Sequence, residues 1–203
     1  MQSHKTQLAS ITLIALFLLL TACGTTVPAK YYLLTPAGGG ATGASGKQLL
    51  ISVGPVTLPA YLDRSQIVTR SGNAELDLAD GQRWAEPLQQ NFSRVLAEDL
   101  YGLLGAGKVI VWPAREPAAV DYRVAVDVER FDCNDQGEAI LTASWSIYGG
   151  NTPGLLEAQH SEYKVAVAPP EAGYPEKVAA LSRTISLFSR DILKTINALE
   201  RSR

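Results

Sequence analysis

Three segments in the second half of the chain alternate apolar and polar residues, and they are residues 121–129, 139–148 and 162–167. This two-residue period is typical of β-strands that bury one face and leave the other in water. Turn-forming residues lie between the segments, at 134–137 and 149–154. Because short turns join antiparallel neighbours, the pattern predicts a three-stranded meander whose apolar face needs a covering layer.

Two longer segments supply that layer, since their apolar residues recur every three or four positions, as on one face of an α-helix. The first stripe is Trp84, Leu88, Phe92, Val95, Leu96, Leu100 and Leu103, with Pro87 in the first turn. The second lies in a helix predicted over 175–199 and is Val178, Leu181, Ile185, Phe188, Ile192, Ile196 and Leu199. Together these elements predict an α+β fold, a two-layer sandwich in which both helices pack on one face of a mostly antiparallel sheet.

The first half of the chain contains further strand-like segments. They are residues 31–35, 66–70, 74–78 and 109–112, the middle two forming a hairpin. Residues 49–58 also have strand composition, but Pro55 and Pro59 interrupt it. Because proline cannot donate a hydrogen bond to a neighbouring strand, three interpretations stay open: an edge strand, a bulge, or two short strands.

The N-terminal region carries an apolar run of 13 residues, 8–20, after a short basic start. A bilayer-spanning helix needs roughly 20 residues, so the run is typical of a secretory leader. It is followed by Thr21-Ala22-Cys23-Gly24, and with Leu20 this sequence resembles the bacterial lipobox. We therefore expect removal of residues 1–22 and a thioether between Cys23 and diacylglycerol.

Several acyl chains on one residue anchor a protein stably at a membrane. Gly24 follows the cysteine, where aspartate would favour the inner membrane, so the outer membrane is the predicted location. Residues 23–48 would hold the lipidated cysteine, a short tether, the first strand and a Gly-rich loop. Residues 49–203 would form the remainder of a single globular α+β domain that includes this strand.

Charge and cysteine content exclude some partners. Without Lys5, the mature chain has 17 Lys and Arg residues against 20 Asp and Glu, a net charge of −3. It has no basic run, so nucleic acid is not a predicted partner. Cys133 is then the remaining cysteine, which excludes an internal disulfide. A small buried hydrophobe beside a turn is its predicted role, and a reactive or intermolecular thiol is the alternative.

Motifs that could carry catalysis or bind a cofactor are weak. Residues 38–43 match G-x-G-x-x-G, but in a low-complexity loop rather than between a strand and a helix. Residues 132–137 resemble part of a calcium loop, without the glutamate that closes such a site. The mature chain has one histidine, His160, and the wet face of one strand carries Asp127 and Glu129. We predict no enzyme, no metal and no cofactor.

Several ordered blocks carry a resemblance to a known family. The most distinctive block is Val53-Gly54-Pro55-Val56-Thr57-Leu58-Pro59-Ala60-Tyr61-Leu62-Asp63-Arg64, and the next is Arg83-Trp84-Ala85-Glu86-Pro87-Leu88. Tyr31-Tyr32-Leu33-Leu34 precedes them, and segments 124–131, 144–147 and 174–192 follow. On these blocks the chain resembles the ABC-type transport auxiliary lipoprotein family, and within it the PqiC-type subunits, through nearly the whole mature chain.

The resemblance implies a periplasm-facing subunit of an intermembrane lipid transport system built around MCE-domain proteins, with ATPase and permease in other subunits. The MCE-domain partner would dock on the proline-rich segment and the start of the first helix. The residues expected at this contact are Pro59, Tyr61, Leu62, Arg64 and Trp84. Three alternatives stay open: packing of Tyr61 beneath a loop, a self-standing lipid-binding or structural lipoprotein, and a homo-oligomer.

Overall fold

The computed structural model describes residues 28–37, 48–72, 74–113, 119–150, 154–169 and 172–202. The predicted leader, Cys23 and the glycine motif at 38–43 lie outside these residues. The strands are β1 (Lys30–Tyr32), β2 (Leu50–Thr57), β3 (Gln66–Ser71), β4 (Glu75–Trp84), β5 (Lys108–Val111), β6 (Tyr122–Asn134), β7 (Glu138–Gly149) and β8 (Leu155–Ala166). The helices are α1 (Leu88–Leu104), α2 (Tyr174–Arg201) and a 3₁₀ turn, Ala60–Leu62.

These strands form one mixed sheet around β6, the longest of them. One edge of β6 pairs antiparallel with β7, and β7 pairs antiparallel with β8. The other edge pairs in parallel with β2 near its start and with β3 at its end. Beyond β2 lies β5, and beyond β3 lie β4 and then β1. The two longest ladders are therefore those of the predicted antiparallel meander, and parallel pairs extend the sheet on the other side.

Both helices pack on one face of this sheet, which confirms the predicted α+β sandwich. α1 lies against β2 and β5, whereas α2 lies against β6, β7 and β8. The rings of Phe92 in α1 and Phe131 pack edge to face, with their centroids 5.4 Å apart, and the centroids of Phe188 in α2 and Trp145 are 5.8 Å apart. Burying each apolar side chain of this size contributes about 1.5–3 kcal/mol. Neither helix in the described part of the chain has the length and apolar composition to cross a bilayer.

β2 is an interior strand with a bulge, so the bulge interpretation is confirmed and the edge interpretation is wrong. It pairs with β5 on one side and β6 on the other. Its register to β6 shifts between Val53 and Val56, beside Pro55, which has no N–H to donate. Gly54 adopts a φ of +123°, and a Cβ there would lie 3.1 Å from the Cβ of Trp112. The backbone angle therefore favours glycine, and the adjacent Trp112 leaves little room for a side chain.

Trp84 is the last residue of β4, so its predicted place on the helix stripe is wrong. α1 begins at Leu88, directly after Pro87. The strand extends this far because β1 pairs with it, Tyr32 opposite Trp84. The Tyr32 carbonyl also accepts the N–H of Ala85 at 2.9 Å. The apolar spacing is misleading here, because a tryptophan buried on a strand can by chance lie four residues before the first apolar residue of a helix, as Trp84 does before Leu88. The other residues of this stripe lie on α1 and are buried.

Candidate functional site

The proline-rich block continues from β2 into residues 58–65, which we refer to as the β2–β3 connection. It spans the stretch of β6 between Asp127, where pairing with β2 ends, and Cys133, where pairing with β3 begins. Pro59 precedes the 3₁₀ turn, and its carbonyl accepts the N–H of Leu62 at 2.9 Å. Leu62 is 2% exposed. The connection is therefore a tight turn anchored in the core by one leucine.

A buried carboxylate, Asp132, holds Tyr61 in this connection. Asp132 is fully buried and lies 3.1 Å from Nη2 of Arg70 and 2.9 Å from Nη2 of Arg130. The Tyr61 hydroxyl lies 3.4 Å from the carboxylate, and the Arg70 guanidinium lies over the tyrosine ring at 5.7 Å. Burial, and next the negative charge of Asp132, raise the pKa of Tyr61. The phenol therefore stays protonated and can donate to Asp132.

Arg64 and Trp84, far apart in the sequence, line one cleft of about 330 Å³, which we refer to as the Arg64 cleft. The backbone N–H of Trp84 donates to the Ser65 carbonyl at 2.7 Å, so the end of the β2–β3 connection lies against the end of β4. The other lining residues are Asp63, Ser65, Ala85, Glu86, Pro87 and Leu88. Arg64 is exposed, and its side chain has no hydrogen bond or ion pair among the described residues.

The residues predicted at the partner contact divide into two sets. Arg64 is exposed, and Pro59 and Tyr61 are half-buried, so these three reach the surface. Leu62 and Trp84 are only 2% and 5% exposed and present little surface to a partner. The structure thus brings Arg64 and Trp84 to one cleft, with the indole supporting its wall. Tyr61 belongs instead to the neighbouring group of Asp132, Arg70 and Arg130, which we refer to together with Tyr61 as the Asp132 cluster.

A second groove, of about 550 Å³, opens beside the Arg64 cleft, and Glu86 lines both. Its other lining residues are Pro55, Val56, Gln89, Gln90, Ser93, Arg94, Val111, Trp112 and Pro113. Glu86 accepts from Nη2 of Arg94 at 3.0 Å, which sets the rim between the two depressions. Trp112 is 52% exposed. Sequence reasoning missed this exposure, although the following Pro113 marks a strand end.

Asp99 of α1 is a second buried carboxylate, which no sequence pattern singles out. It is 6% exposed, and its Oδ1 accepts the N–H of Ala37 at 2.9 Å. Its Oδ2 has no hydrogen-bond partner in the described structure, and burial raises the pKa of Asp99. Nearby, the Thr35 N–H donates to Oγ of Ser182 at 3.2 Å. These two bonds fasten the segment after β1 across both helices.

On the solvent-exposed face of the β6–β8 meander, Ser144 and His160 each contact the carboxylate of Glu129. The Ser144 hydroxyl donates to Oε1 of Glu129 at 2.7 Å, and Nε2 of His160 lies 3.1 Å from Oε2. These hydrogen bonds, from Ser144 first, lower the pKa of Glu129. A nucleophilic triad needs the histidine next to the serine, whereas here the glutamate stands between them. The set therefore does not activate Ser144.

The structure also bears on the reactivity of the Cys133 thiol and on metal binding. Cys133 is buried, and burial raises the pKa of its thiol to about 12. Its predicted role as a small buried hydrophobe is therefore confirmed, since a reactive cysteine needs an accessible thiolate. Within the described ranges, no three His, Cys, Asp or Glu residues are grouped so that they could hold a metal ion.

Comparisons with known proteins agree with the resemblance noted in the sequence. The family model of the ABC-type transport auxiliary lipoprotein component matches residues 31–193. The intermembrane transport lipoprotein PqiC of Escherichia coli K12 is 25% identical over 189 residues, covering 93% of this chain and 97% of the relative. The Shigella flexneri protein of the same name matches equally.

Two crystal structures share the fold, each with a TM-score of 0.69. One is of an uncharacterized protein, 22% identical, with 84% of this chain and 99% of the other covered. The second is of a Xanthomonas campestris protein, 14% identical, with 85% and 99% covered. At these identities the likeness establishes the architecture alone. The family match includes the β2–β3 connection, the Asp132 cluster and the Arg64 cleft.

Proposed function

Because this chain belongs to the ABC-type transport auxiliary lipoprotein family, we propose that it docks the periplasmic channel of an MCE-type lipid transport system at the outer membrane. The family assigns the coarser role of an auxiliary transport lipoprotein. The relative PqiC, an intermembrane transport lipoprotein, supports the finer role. In this proposal the ATPase and permease activities belong to other subunits, and the domain supports envelope integrity by holding the channel in place.

The proposed anchor is Cys23, with a thioether-linked diacylglycerol and an acylated amine. Lys30 is the seventh residue after it, so even an extended chain spans at most roughly 25 Å. The domain would therefore stay close to the membrane that holds its lipid. Labelling of cells with a palmitate analogue is expected to mark the protein, and Cys23→Ala is expected to abolish the label. A labelled Cys23→Ala protein would contradict the proposed anchor.

The observation that carries the docking proposal is the Arg64 cleft. Its walls are held by the buried Trp84 and by the backbone hydrogen bond from Trp84 to Ser65 at 2.7 Å, so it needs little ordering to receive a partner. At its rim stands Arg64, a guanidinium without an intramolecular partner in the described structure. Arginine pairs with carboxylates in two-point contacts and is enriched among interface residues that dominate binding energy. A loop of an MCE-domain protein that places one carboxylate against Arg64 would fit this cleft.

The test is affinity purification of the tagged, lipidated protein from membranes that contain the whole transport system. Arg64→Glu is expected to lower recovery of the MCE-domain protein about tenfold or more. Arg123→Glu is the matched control, because Arg123 is also an exposed arginine but lies on the wet face of β6. Full recovery of the partner with Arg64→Glu would overturn this docking site. Recovery of no transport subunit by the unmodified protein would overturn the docking function.

The alternative function is a lipid carrier, which would need an apolar cavity large enough for acyl chains. Between the helices and the sheet, however, buried side chains fill the space, among them Phe92, Phe131, Ile185, Phe188 and Ile192. This packing favours docking over carriage. Native mass spectrometry of the protein extracted from membranes is expected to show no stoichiometric phospholipid beyond the covalent anchor. A retained phospholipid would favour the carrier.

A further inference from the structure

The segment around β1 presents apolar side chains on its outer side. Tyr31 is 65% exposed and Leu33 is 45% exposed, whereas the intervening Tyr32 is half-buried and Leu34 is 1% exposed. β1 lies at one end of the strand order and pairs only with β4 among the described strands. Outward positions of such edge strands ordinarily carry charged or polar residues. Tyr31 and Leu33, which we refer to as the outer apolar pair, depart from that rule.

Two cations flank the outer apolar pair. Lys30 precedes Tyr31 in the chain, and Arg83 of β4 lies opposite Tyr31 in the parallel pairing. Both are exposed, and neither has an ion-pair partner among the described residues. An apolar pair bordered by unpaired positive charge is complementary to a surface with an apolar interior and anionic headgroups.

The length of the preceding chain places this surface near a membrane, if Cys23 carries lipid as proposed above. Tyr31 is the eighth residue after Cys23, so the two Cα atoms are at most about 28 Å apart. β8 lies at the opposite edge of the sheet, five strand spacings or about 24 Å from β1. The tether therefore joins the folded domain at the β1 edge and limits how far this edge can lie from the bilayer, whereas β8 can lie up to about 24 Å farther away.

We propose that Tyr31 and Leu33 insert into the headgroup region of the bilayer that holds Cys23, with Lys30 and Arg83 against anionic lipid. This inference rests on the proposed lipidation and adds an orientation to it. Acyl chains alone leave a domain free to rotate on its tether, whereas a second contact on the folded domain removes that freedom. The Tyr32 carbonyl accepts the N–H of Ala85, a lining residue of the Arg64 cleft, so in this orientation the cleft lies close to the bilayer.

The test is the depth of a spin label on the lipidated full chain in vesicles of phosphatidylethanolamine and phosphatidylglycerol. Leu33→Cys receives the nitroxide, and in a separate protein Tyr31→Cys does. The native Cys133 stays unlabelled, since its thiol is buried with a pKa raised to about 12. Leu155→Cys is the matched control, because Leu155 is 57% exposed on the far strand β8. Vesicle flotation, measured on the same samples, reports the lipid anchor.

Labels at positions 31 and 33 are expected to collide several-fold more with oxygen, and less with a water-soluble nickel chelate, than the label at position 155. In phosphatidylcholine vesicles, which lack anionic lipid, the labels at 31 and 33 are expected to lie shallower. Protein that floats while all three labels show equal aqueous accessibility would overturn the orientation and leave the anchor standing. Protein that does not float would overturn the anchor and the orientation with it.

Discussion

The Arg70 guanidinium lies 3.1 Å from an oxygen of Asp132, a carboxylate with no exposure to solvent. Arg130 reaches the other oxygen at 2.9 Å. The pair joins β3 to the end of β6 beside the β2–β3 connection, where the two strands share only a short parallel ladder. Removal of one partner leaves the remaining charge desolvated, which is the costly way to break a buried ion pair.

We expect Arg70→Leu to lower the free energy of unfolding by about 2–3 kcal/mol, because Arg130 still compensates part of the buried charge. Urea denaturation measures this value. Arg123→Leu, on the wet face of the sheet, is the control and is expected to stay within about 0.5 kcal/mol of the unmodified protein. An equal effect of both substitutions would show that the Asp132 cluster does not stabilise the fold.

Asp99 predicts a pH dependence of stability. Burial raises its pKa in the folded protein above the ordinary value of 3.8. The stability it contributes is therefore fully present below pH 3.8 and is lost as pH rises through the folded-state pKa. Asp99→Asn keeps an acceptor for the Ala37 N–H but cannot ionise. We expect the variant to gain stability relative to the unmodified protein as pH rises toward neutrality.

Urea denaturation at a series of pH values measures this difference. Asp63→Asn is the matched control, because Asp63 is exposed. Its stability is expected to run parallel to that of the unmodified protein. A difference between Asp99→Asn and the unmodified protein that stays constant from acid to neutral pH would contradict the prediction.

Cys133 is expected to resist thiol reagents in the folded protein. Its thiol is buried with a pKa of about 12, so almost no thiolate is present at neutral pH, and the reagent has no access. Reaction with a chromogenic disulfide should appear only on unfolding in guanidinium. Rapid modification of the lipidated native protein would mean that the packing of Cys133 between β6 and α2 opens readily.

Trp84, which lines the Arg64 cleft, and Trp112, which lines the second groove, are expected to differ in how much stability the protein loses when each is replaced by alanine. Trp84 is 5% exposed, so Trp84→Ala should cost about 3–5 kcal/mol of unfolding free energy. Trp112 is 52% exposed, and Trp112→Ala should cost clearly less, about 1 kcal/mol or below. Denaturant titration gives both values. Similar costs for the two would show that Trp112 packs in solution as Trp84 does.

The local periodicity of apolar residues predicted most of the helices and strands, but it did not predict which strands pair with each other. The meander, the hairpin and both helices follow from apolar spacing within about 10 to 25 consecutive residues. The same spacing placed Trp84 on α1, although Tyr32 holds it in β4. It also left β2 undecided among three interpretations, because Pro55 disrupts a strand in the same way at an edge and at a bulge. In both cases the deciding partner lies tens of residues away.

The sequence by itself determined the α+β class and the buried faces of the long elements, since each depends on composition and period within one segment. The tertiary structure alone decided that β2 and β3 share one edge of β6 and that Arg64 meets Trp84 across a cleft. It also decided that Asp99 and Asp132 are buried, one only partly satisfied and one paired. Strand order and charge pairing arise from contacts between distant segments, and no local pattern of residues encodes which distant partner is chosen.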